Sequence, residues 1–414
     1  MALDAQGLAL KILQVNNFHY PRGGADRYFL DVTGLLRAAG HDVRTLSTMR
    51  PENVNQEWLV VPPLSGVETE TTGGVRNAIG FLFSRDARSR MTEAIAKFRP
   101  NIVHLHVYYG QLTASILAPL RRAGIPIVQT LHEYKLVCPT HGLYANGGFC
   151  DACQGRYYWH AITKRCNRGS LARSTLSAVE AYVSDSLGAR NGIERFIAVS
   201  EFQRDQLVRL GIPNHKIDIV RHFATPSEST PGRPGDYLLY VGRILTEKGI
   251  GVLLDAMARM GSLARPLKIV GTGSETPRWM NYANTLGLKD RVEWLGFRGG
   301  RDLGDLYRGS LVVVNPSMLN ETFGLTCLEA LANGRPVIAS RVGALPEVID
   351  DMRDGILVRA GNAEDLAEAI LRVAGDPVAA YEMGLRGWEK VGREFSSSRH
   401  YDDLMRIYSK VVHA

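Results

Sequence analysis

The sequence predicts an α/β protein built from two doubly wound domains, and three observations predict it. At 414 residues the chain is too long for one ordinary core, because single hydrophobic cores stop growing at roughly 250–300 residues. Short apolar runs alternate with amphipathic stretches of helical period, which is the pattern of a parallel sheet with crossover helices. Near the middle, residues 224–235 are rich in Pro, Gly, Ser and Thr and lack periodicity, as expected of a linker. The composition, 45% hydrophobic and 22% charged with 42 glycines, is that of a folded protein with many tight turns and excludes disordered and fibrous classes.

The first domain is expected over residues 1–224. Apolar runs at 10–17, 41–48, 101–106 and 125–132 read as strands, with helical stretches at 26–40 and 111–124 between them, and the alternation ends near 193–223. It restarts in a second domain, 225–395, with runs at 237–242, 266–271, 291–297, 311–317, 336–340 and 355–361 and helical stretches at 251–260 and 323–334. Helices dominate from Ala363 onward. The last, within 396–414, carries an apolar stripe of Leu404, Ile407, Tyr408 and Val411 that must dock, and it is expected to pack back across the domains.

Charge is unevenly spread. Residues 1–224 hold 26 Lys and Arg against 18 Asp and Glu, whereas 225–414 hold 23 against 24, so the first half is +8 and the second −1. A basic half suits an anionic surface, lipid phosphate or nucleic acid, or simply a solvated basic face. Aromatic residues do not interleave with the basic patches, which counts against nucleic acid. The N-terminal stretch lacks the basic start and long apolar run of a signal peptide, and no window reaches the length of a membrane span, so a cytoplasmic location is expected.

The strongest chemical signal follows the apolar run Leu311-Val312-Val313-Val314. Glu321 precedes Phe323-Gly324-Leu325-Thr326, which open a helix that carries Glu329. Unpaired amides and the positive dipole end at a helix start suit a phosphate or sugar hydroxyl, and the glycine allows close approach. Two carboxylates eight residues apart accept paired hydrogen bonds from vicinal diols, as on a hexose or ribose. A capping acid and a surface glutamate would be the bland alternative. Arg243 and Lys248 sit five residues apart in a glycine-bounded loop after another apolar run, where two cations can neutralise a diphosphate without a metal. Surface ion pairing is the alternative there.

The string of residues 316–351 closely resembles the signature of the family-4 retaining glycosyltransferases, the group 1 glycosyl transferases, which have the GT-B fold of two facing Rossmann-like domains with an interdomain cleft. That resemblance implies that Glu329 holds the nucleotide ribose, that Glu321 contacts the donor sugar, and that the amides of Phe323, Gly324 and Leu325 meet its hydroxyls or phosphate. It implies that Arg243 and Lys248 grip the diphosphate, that the Gly271 loop lies near it, and that the nucleobase rests against backbone near Phe297 and Arg298. In the first domain it points to Gly23 and Gly24 for donor contact, to Asp26 for structure or acceptor contact, and to His132 near the anomeric centre. His104 and His106 are weaker acceptor candidates. Asn320 and Asn333 depart from the commonest family pattern, as does Asp26 where Glu is usual.

Two features lie outside this scheme. An insertion over about 133–170 carries Cys138, Cys150, Cys153 and Cys166, a spacing open to a structural zinc site or to free or partly disulfide-linked thiols; Cys327 reads as a small core residue. Residues 75–90 join an apolar patch to several arginines, as on one amphipathic helix lying at an anionic bilayer or packed on the core. The expected activity is retaining transfer of a hexose-type sugar from a UDP- or GDP-sugar to a glycan or lipid-linked acceptor in surface polysaccharide biosynthesis, with no metal needed for the chemistry. An epimerase of the same fold or a non-catalytic nucleotide-sugar binding protein are the alternatives.

Overall fold

A computed structural model describes residues 9–54, 59–63, 75–227 and 230–413. Residues 1–8, part of the stretch read for a leader, lie outside the described residues, as do 228 and 229 of the expected linker. The chain divides into two compact units. One comprises Met1–Asn146, Cys150–Val220 and His400–Ala414, the other Gly147–Phe149 and Arg221–Arg399.

The first unit is organised on a seven-stranded sheet: β1 (Lys11–Val15), β2 (Asp42–Thr48), β3 (Leu59–Val61), β4 (Ile102–Leu105), β5 (Ile127–Leu131), β6 (Arg195–Ala198) and β7 (Ile217–Ile219). Its order is β3-β2-β1-β4-β5-β6-β7, with every pairing parallel. Every residue of β4 and β5 is buried, as expected where helices cover both faces of a parallel sheet. Strand order reverses between β1 and β4, where open α/β sheets bind ligands beyond the carboxyl ends. Helix α1 (Gly24–Ala38) follows β1 and buries Tyr28, Phe29, Val32 and Leu36.

Residues 75–90 form two helices rather than one: α2 (Val75–Leu82) and α3 (Arg85–Phe98). The break is local chemistry. Ser84 is extended, and its hydroxyl accepts from the amide of Ala87 at 3.1 Å, capping a new helix. The apolar residues are thereby separated from Arg85, Arg88 and Arg90, so the single amphipathic helix is not formed. Among the described residues no helix is long and apolar enough to cross a membrane. Helix α4 (Leu171–Ser186) follows the cysteine-bearing segment.

The second unit repeats the plan with six parallel strands: β8 (Tyr237–Val241), β9 (Leu267–Val270), β10 (Val292–Gly296), β11 (Ser310–Asn315), β12 (Val337–Ser340) and β13 (Gly355–Val358). The order β10-β9-β8-β11-β12-β13 again reverses beside its first strand, between β8 and β11. Its core joins Leu238, Tyr240, Ile269, Val312 and Ile338 to Leu253, Leu254 and Met257 of α5 (Ile250–Met260) and to Leu366 and Ile370. The residues before β8 are held against this unit. Arg335 donates to the carbonyl of Gly232 at 3.0 Å and Tyr381 to that of Pro231 at 3.0 Å. Gly334 has φ +67°, and a Cβ there would lie 2.2 Å from the Pro231 ring.

The closing helices include α6 (Leu325–Ala332), considered below, and α7 (Ser397–Val412). From His400 onward α7 belongs to the first unit, burying His400, Tyr401, Leu404, Met405, Ile407 and Tyr408. Tyr401 bonds His41 Nε2 at 2.8 Å, and Tyr408 bonds His104 Nδ1 at 2.7 Å.

Candidate functional site

In the second unit the predicted residues gather at the carboxyl ends of β8, β9 and β11, around the point of strand reversal. The loop after β8 carries Arg243 and ends in a short 3-10 turn, Thr246–Lys248, closed by Gly249 at φ +77°. A Cβ at Gly249 would fall 1.9 Å from the carbonyl of Pro316, and one at Gly271 1.8 Å from that of Gly242. These glycines let three strand-end loops lock backbone to backbone, and Met318 donates to the Glu247 carbonyl at 2.9 Å.

That interlocking sets Lys248 on Glu321, with Nζ 2.6 Å from Oε1 and both side chains less than one-fifth exposed. Burial works to raise the Glu321 carboxyl, but Lys248, Ser317 and Arg243 together outweigh it and hold the group below the usual carboxylate range. The backbone of Glu321 is cradled in turn: Gly343, φ +58°, leaves no room for a Cβ beside it, and the Ala344 amide donates to its carbonyl at 2.9 Å. A carboxylate and an ammonium are thus fixed together while Arg243 stays exposed.

Gly324, at φ +101°, caps α6. The amides of Leu325 and Thr326 fall in its first turn, where helical donors have no partner within the helix. The Phe323 ring is 2% exposed and packs edge-on against His222 and Phe395, so its side chain belongs to the core and only its backbone remains for a ligand. Glu329 accepts from the Tyr307 hydroxyl at 2.9 Å. Cys327 is fully buried beside Asn315, and burial pushes its thiol up to about 12, as fits a core residue. Phe297 is 56% exposed just past β10, and Arg298 folds back onto its carbonyl at 2.9 Å.

In the first unit, Gly23 and Gly24 open α1 at the end of β1. Asp26 is buried and accepts from Asn16 Nδ2 at 2.8 Å; burial, against the opposing pull of Asn16 and Arg22, pushes its carboxyl up to about 6. His132 stands just past β5, and burial pushes it down to about 3, so it is a neutral imidazole at physiological pH. His104 and His106, read as acceptor contacts, are 0% and 1% exposed. The structure corrects that reading. His104 lies between Tyr408 and the Thr130 hydroxyl, each at 2.7 Å, and His106 Nδ1 lies 3.1 Å from His132 Nε2. Sequence reasoning missed Gln14, whose Oε1 lies 2.6 Å from His106 Nε2; a polar residue inside the apolar run of β1 was the available signal.

Cys138, Cys150, Cys153 and Cys166 line one small cavity with Val137, Leu143, Ala161 and Leu210. Among the described residues, however, no three His, Cys, Asp or Glu side chains are placed to hold a metal ion. The zinc expectation is not supported. Burial followed by the neighbouring thiols pushes Cys153 up to about 12, and burial pushes Cys166 up as well, so these two favour the neutral thiol over a thiolate ligand, while Cys150 receives the Lys164 ammonium at 3.6 Å and Cys138 lies 3.6 Å from the Thr140 hydroxyl.

Comparison with known proteins gives this arrangement its family. A family described as Glycosyltransferase Family 4 matches residues 22–227, and one described as Glycosyl transferases group 1 matches 235–376. A D-inositol 3-phosphate glycosyltransferase of Saccharomonospora viridis is 36% identical over 247 residues, 53% of this chain and 56% of that protein; the match thus spans about half the relative's length. Sucrose-phosphate synthase from Thermosynechococcus elongatus has a similar fold, at TM-score 0.70 and 21% identity, covering 96% of this chain and 98% of that one. So does Anabaena HepE, solved with UDP and glucose, at TM-score 0.66 and 17% identity, covering 97% and 99%. With two Rossmann-like units and both matches in register with them, the chain belongs to the group 1, family-4 glycosyltransferases of GT-B fold.

Proposed function

We propose that the protein is a retaining glycosyltransferase that moves a hexose-type sugar from a UDP- or GDP-sugar to a glycan or lipid-linked acceptor in surface polysaccharide assembly. The observation that carries this reading is the Lys248–Glu321 pair held at the strand-reversal point of the second unit, beside the exposed Arg243 and the open first turn of α6. Arg243 and Lys248 stabilise the departing diphosphate, while the amides of Phe323, Gly324, Leu325 and Thr326 receive phosphate or sugar oxygens. Glu329 orients the ribose, Phe297 and Arg298 border the base, and the Gly271 loop lies near the phosphates. Glu321 contacts the sugar; among the first unit's residues, His132 is assigned to sugar contact and Gly23 and Gly24 to donor contact.

In the reaction the bond from the anomeric carbon to the diphosphate breaks while the acceptor oxygen bonds that carbon from the same face. The acceptor's proton passes to the leaving phosphate oxygen. The diphosphate charge is met by side chains, so the chemistry runs without a metal. The name of the S. viridis relative and the basic first half favour an acceptor that carries phosphate.

Nucleotide release decides between this reading and its competitors. Free UDP or GDP that appears only with acceptor present supports transfer, epimerised donor supports an epimerase, and binding without turnover supports a non-catalytic protein. Peripheral attachment at the cytoplasmic face of a membrane belongs to the same proposal. It draws on Ile79 of α2, 60% exposed, and on the arginines of α3; flotation with liposomes that is indifferent to anionic lipid would remove it.

A further inference from the structure

His132, His106 and Gln14 form a chain whose proton positions follow from one amide. Gln14 Oε1 can only accept, so at 2.6 Å His106 Nε2 must carry the proton between them. The Gln14 orientation is supported from its other end, where Nε2 lies 3.5 Å from both Tyr408 Oη and His104 Nδ1. His106 is 1% exposed, its ring stacked on His104 at 4.3 Å and edge-on to Phe29 at 5.3 Å, an environment that favours the neutral ring. With its proton on Nε2, a neutral His106 presents Nδ1 as an acceptor. The rings of His106 and His132 are within 16° of parallel with centroids 5.4 Å apart, so the 3.1 Å contact runs edge to edge. Nε2 of His132 is therefore the donor in that contact.

We propose that His106, fixed by Gln14, is a positioning residue that locks His132 in the Nε2–H tautomer, so that His132 meets the bound sugar only as a hydrogen-bond acceptor through Nδ1. The partner chemistry is then a sugar hydroxyl that donates, rather than a phosphate or carboxylate oxygen. This rests on the reading of His132 as a sugar-contacting group. The same amide orders the neighbouring branch: Gln14 Nε2 donates to Tyr408, Tyr408 to His104 Nδ1, and His104 Nε2 to Thr130. His104 thus buttresses His106 without competing for its protons.

The test uses full-length protein labelled with ¹⁵N-histidine, with His132 assigned by its loss in His132→Ala. Long-range ¹H–¹⁵N spectra are expected to show Nε2 of His132 as protonated and Nδ1 as the bare, pyridine-like nitrogen. His106→Leu removes the acceptor, and mixed tautomers should appear with kcat lowered about tenfold while KM for the donor changes less than threefold. His106→Asn keeps an amide oxygen for the His132 proton and should restore both the spectrum and most of kcat. Gln14→Leu, which leaves the histidine packing in place, should also mix the tautomers and guards against His106→Leu failing to fold. A protonated Nδ1 in the unaltered protein, or an unchanged tautomer in both leucine variants, overturns the proposal. Full turnover by His132→Ala alongside the expected spectra instead overturns the sugar-contact reading on which it rests.

Discussion

The Lys248–Glu321 pair offers the sharpest quantitative test. Two unit charges 2.6 Å apart at an effective dielectric near 20 attract by about 6 kcal/mol. Both side chains are largely withdrawn from water, and desolvation takes back much of that gain, leaving a net coupling of about 2–3 kcal/mol. A double-mutant cycle of Lys248→Met and Glu321→Gln measures it. Urea unfolding followed by tryptophan fluorescence suits the purpose, because Trp279, Trp294 and Trp388 all report on the second unit. A coupling below about 0.5 kcal/mol, the range of exposed pairs, would refute the buried bridge. Glu321→Gln also releases Lys248 from its carboxylate. UDP, which has phosphates but no sugar, should then bind three- to tenfold more tightly, a gain of about 1 kcal/mol, while turnover of the nucleotide sugar falls at least a hundredfold. Weaker UDP binding by Glu321→Gln would show that Lys248 does not face the diphosphate.

Three further outcomes follow from the geometry. His104 and His132 are each depressed from 6.5 to about 3, so the unfolded chain binds their protons first and stability falls as pH drops below 6.5; Asp26, raised from 3.8 to about 6, works the other way over 6 to 3.8. Between pH 7 and 4.5 the histidines lose about 5 kcal/mol and Asp26 returns about 2, and thermal melting that is flat or improves over that range would contradict these shifts. Gly271→Ala must move the backbone of Gly242, since its Cβ would sit 1.8 Å from that carbonyl at φ +135°; donor binding should be lost with the second unit destabilised by about 3 kcal/mol or more, checked by calorimetry and UDP titration. Tyr408→Phe leaves His104 Nδ1 short of its 2.7 Å partner and should lower stability by about 1–3 kcal/mol, as read by urea unfolding.

Much of the fold was legible because parallel strands covered on both faces are written as continuous apolar runs. The strands observed at Ile127–Leu131, Tyr237–Val241 and Ser310–Asn315 lie where such runs were read. The break at Ser84 was not, because a hydroxyl that ends one helix and caps the next leaves the apolar spacing of residues 75–90 almost unchanged. For the second unit's candidate site, the motif residues were visible but their coupling was not. Lys248 and Glu321 are 73 residues apart, and the close backbone approach that Gly249 allows against Pro316 brings the two loops together, while Gly343 cradles the Glu321 backbone from a third loop. The cysteines show the opposite failure: their spacing suggested ligands, whereas among the described residues no three of them are set to hold a metal, and burial keeps Cys153 and Cys166 protonated. Gln14 was hidden because strand periodicity says which face a residue takes and nothing about which imidazole lies opposite.

The helix that returns to the first unit also fixes when that unit can be finished. His104 waits 304 residues for Tyr408, and His41 waits 360 for Tyr401. A growing chain therefore completes the whole second sheet while the first still has His41 and His104 without those partners, an opening closed only once residues 400–412 have been made. Cutting the chain at residue 224 would leave that opening permanent. A fragment meant to stand for the first unit needs residues 400–412 joined to it, and a ribosome-bound intermediate lacking them should be the form most exposed to proteolysis and misassembly.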